Sequence, residues 1–108
     1  MSESPQIGEF EQLVLWAVLR LADDAYGIAI RKELEANAQR KVSRGALYKT
    51  LERLENKGLL AWEVSESTPA RGGLPRRRFG VSPLGLAALR RVRETLLHLW
   101  TGLEAVLE

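Results

Sequence analysis

The chain has no cysteine and only one histidine, His98. Without cysteine there is no disulfide framework, no thiolate nucleophile and no thiolate metal site, and redox context is left open. One imidazole cannot build a metal centre unaided, so no metal or other cofactor is expected. Long apolar runs are missing too. The longest, LVLWAVL at 13–19, ends at Arg20, far short of the ~20 residues a membrane-spanning helix needs. The acidic N-terminus lacks a basic segment ahead of an apolar one, which argues against a signal peptide, so the expected compartment is the cytoplasm, with no membrane partner. Repeats and low-complexity tracts are lacking. So are a Ser/His/Asp set, a carboxylate pair in a Gly-framed cleft and a phosphate loop, which argues against an enzyme.

What is present is sorted. At 108 residues the chain is one domain, or one domain with an appendage, able to bury roughly 65% of its unfolded surface. The net charge is only +2, but it is unevenly spread. Residues 1–30 carry Glu3, Glu9, Glu11, Asp23 and Asp24 against Arg20 alone. Residues 67–93 carry Arg71, Arg76, Arg77, Arg78, Arg90, Arg91 and Arg93 with no acid. Such segregation suits a polyanionic partner.

Apolar periodicity predicts three helices in quick succession. The first spans Gly8 to Ala22 and is apolar nearly all round from Leu13, as for a helix wedged between others. A second, at about 26–38, turns Ile30 and Leu34 inward. The third, at about 44–57, opens after Ser43 as N-cap and stops at Gly58, with Leu47, Leu51 and Leu54 on one stripe. Gly45, Tyr48, Lys49 and Glu52 lie opposite. The period then changes to two: Leu60, Trp62 and Val64 alternate with polar neighbours, as do Arg77, Phe79 and Val81, which predicts two half-buried strands joined by a basic loop. Ser82-Pro83 opens a last helix, expected to run to the C-terminus. Its Leu89, Val92, Leu96, Leu99, Leu103 and Val106 form a heptad seam, flanked by Leu97, Trp100 and Leu107, while Gly102 weakens it by ~1 kcal/mol relative to Ala.

Helix, helix, helix, strand, basic loop, strand is the order of a winged helix-turn-helix: mainly α, with a small β-hairpin. The expected organisation is an extension at 1–7, a winged-helix domain at 8–82 and a dimerisation helix at 83–108. The third helix then offers its outer face to the DNA major groove, and the wing at 67–78 offers arginines to the backbone or minor groove.

FEQLVLWAVLRLADDAYGIAIRKELE, VSRGALYKTLERLENKGLL and RGGLPRRRFGVSPLG resemble the successive motifs of the PadR-like transcriptional regulators, in the short form with a single C-terminal helix. The resemblance covers residues 8 to about 90. It implies a homodimeric repressor that binds an inverted repeat of duplex DNA. By that resemblance the DNA-facing residues are Ser43, Arg44, Gly45, Tyr48 and Lys49 on the third helix, with Arg71, Gly72, Arg76 and Arg77 in the wing. The last helix, with Trp100 beside its seam, is the dimer interface. Leu74 and Arg78 depart from the family's usual wing pattern. Two alternatives stay open: a sensor whose planar aromatic effector stacks on Trp16 and Trp100 at the dimer seam, and a winged helix that docks an acidic protein.

Overall fold

The computed structural model describes residues 6–65 and 75–108. In chain order come α1 (Glu9–Leu21), a 3₁₀ turn (Ala22–Asp24), α2 (Gly27–Ala38), α3 (Arg44–Asn56), β1 (Leu60–Ser65), β2 (Arg76–Val81), α4 (Pro83–Trp100) and a terminal 3₁₀ turn (Glu104–Leu107). This is a winged helix-turn-helix with a helix added after the wing.

Local signals set the helix ends. Ser43 caps α3 by accepting a hydrogen bond from the Ala46 amide at 3.1 Å, and Gly58, at φ 76°, lets the chain turn out of it. Ser82 caps α4 by accepting from the Gly85 amide at 3.0 Å, with Pro83 in the first turn. The stripes of α1, α2 and α3 then meet in one core built on Leu15, Val18, Ile30, Leu34, Leu47, Leu51 and Leu54, which Phe79 and Leu89 close from the hairpin and α4.

The strands pair antiparallel with Leu60 opposite Val81, Trp62 opposite Phe79 and Val64 opposite Arg77. The free edge of β2 is also occupied. The Phe79 amide donates to the Ala25 carbonyl at 2.9 Å, and Tyr26 bridges to Arg78. A two-stranded ribbon is marginal alone; here it is pinned to the segment that begins α2.

The structure corrects three sequence expectations. Of the alternating residues in β1 only Leu60 is buried, while Trp62 and Val64 are 40% and 59% exposed. The ribbon rests on the core at its base through Leu60 and Phe79. Second, the last helix stops at Trp100. Thr101 turns to ψ 125°, and Gly102 sits at φ 90°, a conformation that favours glycine. Leu103 and Val106 are therefore not on the helical seam but on the short turn beyond it. Third, Leu89 faces its own core at 2% exposure and is not free for a partner. The helical remainder of the seam is Val92, Leu96 and Leu99, with Trp100 alongside.

One buried carboxylate fixes α3 against α1. Glu11 accepts from the Gly8 amide at 2.8 Å, from Lys57 Nζ at 2.9 and 3.0 Å and from Arg53 Nε at 3.3 Å. Burial pushes its carboxyl pKa up, but the bonds from Lys57, Gly8 and Arg53 and the Lys57 charge outweigh this and hold it below its usual value. A depressed carboxylate stabilises the fold above its unfolded pKa, and that stability is lost as pH falls through the folded one. Glu11→Gln is expected to cost about 1–3 kcal/mol at pH 7. The gap between variant and wild type in thermal unfolding should shrink as pH drops below about 4.5. A gap that stays constant down to pH 3 would show that the charge is not what holds α1 to α3.

Candidate nucleic-acid interface

At 3.6 residues per turn α3 presents three strips away from its Leu stripe. Gly45, Lys49 and Glu52 form an exposed crest, Arg44 and Tyr48 lie on the flank toward the hairpin, and Ala46, Thr50 and Arg53 lie on the opposite flank. A Cβ placed on Gly45 meets nothing within 4 Å, so the fold itself does not require glycine there. What its missing side chain permits is close approach from outside.

Tyr48 is less exposed than its pattern suggests. The ring packs edge-on to Phe79, with centroids 6.5 Å apart at 67°, and its hydroxyl lies against the first turn of α2. Gly27 makes that seat: a Cβ there would fall 2.3 Å from the Tyr48 hydroxyl oxygen. Sequence reasoning missed this role. The signal available was a Tyr-Gly pair just ahead of a helix, where glycine gains nothing from helix propensity.

Around this tyrosine the structure gathers cations on aromatic platforms. The Arg44 and Arg77 guanidinium carbons each lie 5.4 Å from the Tyr48 ring centroid, and Arg77 is also 5.0 Å from Trp62. Arg76 stacks on Tyr26 at 3.7 Å, and its buried Nε has no hydrogen-bond partner among the described residues. Stacking occupies the face of a guanidinium and leaves its N–H edge free to grip an oxyanion in bidentate fashion. With Arg31 and Ile28 these groups line a cleft of about 580 Å³ between α2, α3 and β2. Among the described residues no carboxylate lines it. Tyr26, the N-cap of α2, makes no side-chain capping bond, so the amides of that first turn also favour an anion. This explains the exposed Trp62: what looked like a core residue supports Arg77.

Ser43, Arg44, Gly45, Tyr48, Lys49, Arg76 and Arg77 thus share one side of the molecule. Arg71 and Gly72, with the departure at Leu74, lie outside the described residues. Arg78 points to the other face of the ribbon, where it pairs with Glu63. Trp16 and Trp100 are 37% and 49% exposed. Neither lines this cleft. Among the described residues no helix is long and apolar enough to cross a membrane, and no group of three His, Cys, Asp or Glu is placed to hold a metal.

A family model described as "Transcriptional regulator PadR-like family" matches residues 15–91. Among solved structures, a PadR family transcriptional regulator from Eggerthella lenta is 32% identical, with 93% of this chain and 87% of that one covered at a TM-score of 0.66. RosR of H. salinarum is 28% identical over 91% of this chain and 81% of its own, at a TM-score of 0.69. A PadR-like regulator from Bacillus cereus is 20% identical over 92% and 91%, and at a TM-score of 0.72 it shares the fold. No curated protein is a significant match.

Proposed function

Because the chain belongs to the PadR-like family of transcriptional regulators, we propose that it is a sequence-specific repressor that binds an inverted-repeat operator as a homodimer. α3 enters the major groove crest first, and Arg44, Tyr48, Arg76 and Arg77 hold the backbone phosphate on the hairpin side. The observation that carries this reading is the cleft itself: arginines set on aromatic rings, with no carboxylate on them among the described residues, beside a helix whose crest is open at Gly45. A two-fold dimer reads two half-sites of opposite sense, which is why the operator should be an inverted repeat with half-sites about one helical turn apart. The exposed Leu96, Leu99 and Trp100 of α4, with the half-buried Val92, supply the apolar face for pairing. An acidic protein could meet the same cations, but it would not yield a repeat in selected DNA.

The test is a selection of bound duplexes followed by titration across a salt series. A phosphate contact contributes about one unit to the slope of log affinity against log salt. Arg76→Ala and Arg77→Ala should each flatten that slope by about one unit while circular dichroism stays unchanged. Wild-type slopes in both variants, or a selection that enriches no repeat, would refute the reading.

A further inference from the structure

The hairpin-side cleft accounts for one edge of a groove, and a groove has two. An α-helix with its side chains is about 10–12 Å across, and the major groove is about 12 Å wide. A helix seated there therefore has a phosphate backbone on each flank. On the flank of α3 away from the hairpin is a second, shallower cleft of about 340 Å³, lined by Ala46 and Thr50 together with Arg40, Lys41, Lys49 and Arg53 beside Phe10. Sequence reading had assigned only Lys49 of these to DNA. We propose that this cleft is a second phosphate site, holding the DNA strand that bounds the major groove on the α1 side. The inference rests on the DNA-binding reading and extends it to a surface built from α1 and the α2–α3 link.

Its charges are in different states. Arg53 is committed to Glu11 and to Thr50 Oγ1, at 3.3 and 3.2 Å, and holds the fold. Lys41 and Lys49 are exposed, and neither is among the ion pairs of the described residues. Arg40 lies 5.7 Å over the Phe10 ring and pairs with Glu9. The Glu9 side chain is 79% exposed, so water screens its hold on Arg40, and a phosphate can take the guanidinium from it. Glu9 is thus a competitor built into the site. Lys41 and Lys49 bind phosphate directly, while Arg40 is released to it.

This gives a test with effects of opposite sign. Affinity for a random-sequence duplex of about 30 base pairs, long enough for two half-sites, is measured across a salt series for the full chain and three variants. Lys41→Ala should weaken binding several-fold and flatten the salt slope by about one unit. Glu9→Gln should strengthen binding several-fold, because Arg40 no longer has a carboxylate to leave. Arg77→Ala reports on the opposite cleft and should weaken binding whichever way the second cleft behaves. If Arg77→Ala weakens binding while Lys41→Ala and Glu9→Gln match wild type in affinity and slope, the second cleft is overturned and the DNA-binding reading stands. If the wild type binds no duplex at all, both are overturned. Lys41 and Glu9 are exposed, so unchanged thermal unfolding separates these effects from loss of the fold.

Discussion

Leu99→Asp should convert the proposed homodimer to monomers and lower operator affinity by about 10²–10⁴-fold. Leu99 is 68% exposed, and Leu96, Leu97 and Trp100 around it are each about half exposed. So many large apolar side chains on a few turns form a patch of the kind that marks an interaction surface. A carboxylate at the centre of that patch would be buried without a partner on each side of the two-fold axis, which a dimer cannot accommodate. The effect on DNA is larger than the loss of any contact, because binding the second half-site ceases to be intramolecular. Light scattering and operator titration read the two consequences separately. A folded Leu99→Asp dimer with wild-type operator affinity would rule out α4 as the interface. Leu89→Asp is not an equivalent experiment, since Leu89 lies in the chain's own core and its replacement would unfold the domain.

Gly85→Val should destabilise the fold strongly. A Cβ at Gly85 would sit 2.3 Å from the Leu59 carbonyl oxygen and 2.7 Å from Val81 Cγ1. That carbonyl cannot retreat freely, because it accepts the Ser82 amide at 3.0 Å where the hairpin hands over to α4. The clash is therefore with fixed backbone, and the expected cost is about 3 kcal/mol or more. For a chain of this size each kcal/mol lowers Tm by about 4–8 °C, so a fall of roughly 12 °C or more is expected. A Tm within about 2 °C of wild type would mean that α4 shifts to make room. Such a shift would carry its own signature: in the proposed dimer α4 would set how far apart the two recognition helices stand, and operators with altered spacing would then be preferred.

Much of this protein could be read without coordinates wherever the signal is local. Ser43 and Gly58 bracket α3, and Ser82 with Pro83 opens α4, because a cap is satisfied within three residues of itself and needs no distant partner. The inward stripes of Ile30 and Leu34 and of Leu47, Leu51 and Leu54 follow from the helical period, and the charge asymmetry is a property of the chain alone. From these the fold class, and which side of α3 faces away from the core, were legible. Tertiary structure decided what depends on who stands opposite. Leu89 and Leu99 belong to the same heptad pattern, yet one lies against the core and the other does not, since a period records which residues share a face and not what covers it. Trp62 and Phe79 are apolar cross-strand partners, but only Phe79 is buried in the core, and Trp62 is left to carry Arg77. Gly27 is needed only because Tyr48, 21 positions along the chain, folds against it. The cations were visible as residue types throughout. Which of them are held by Glu9, Glu11 or Glu63 was settled by packing, because an ion pair between distant residues exists only once the chain has folded.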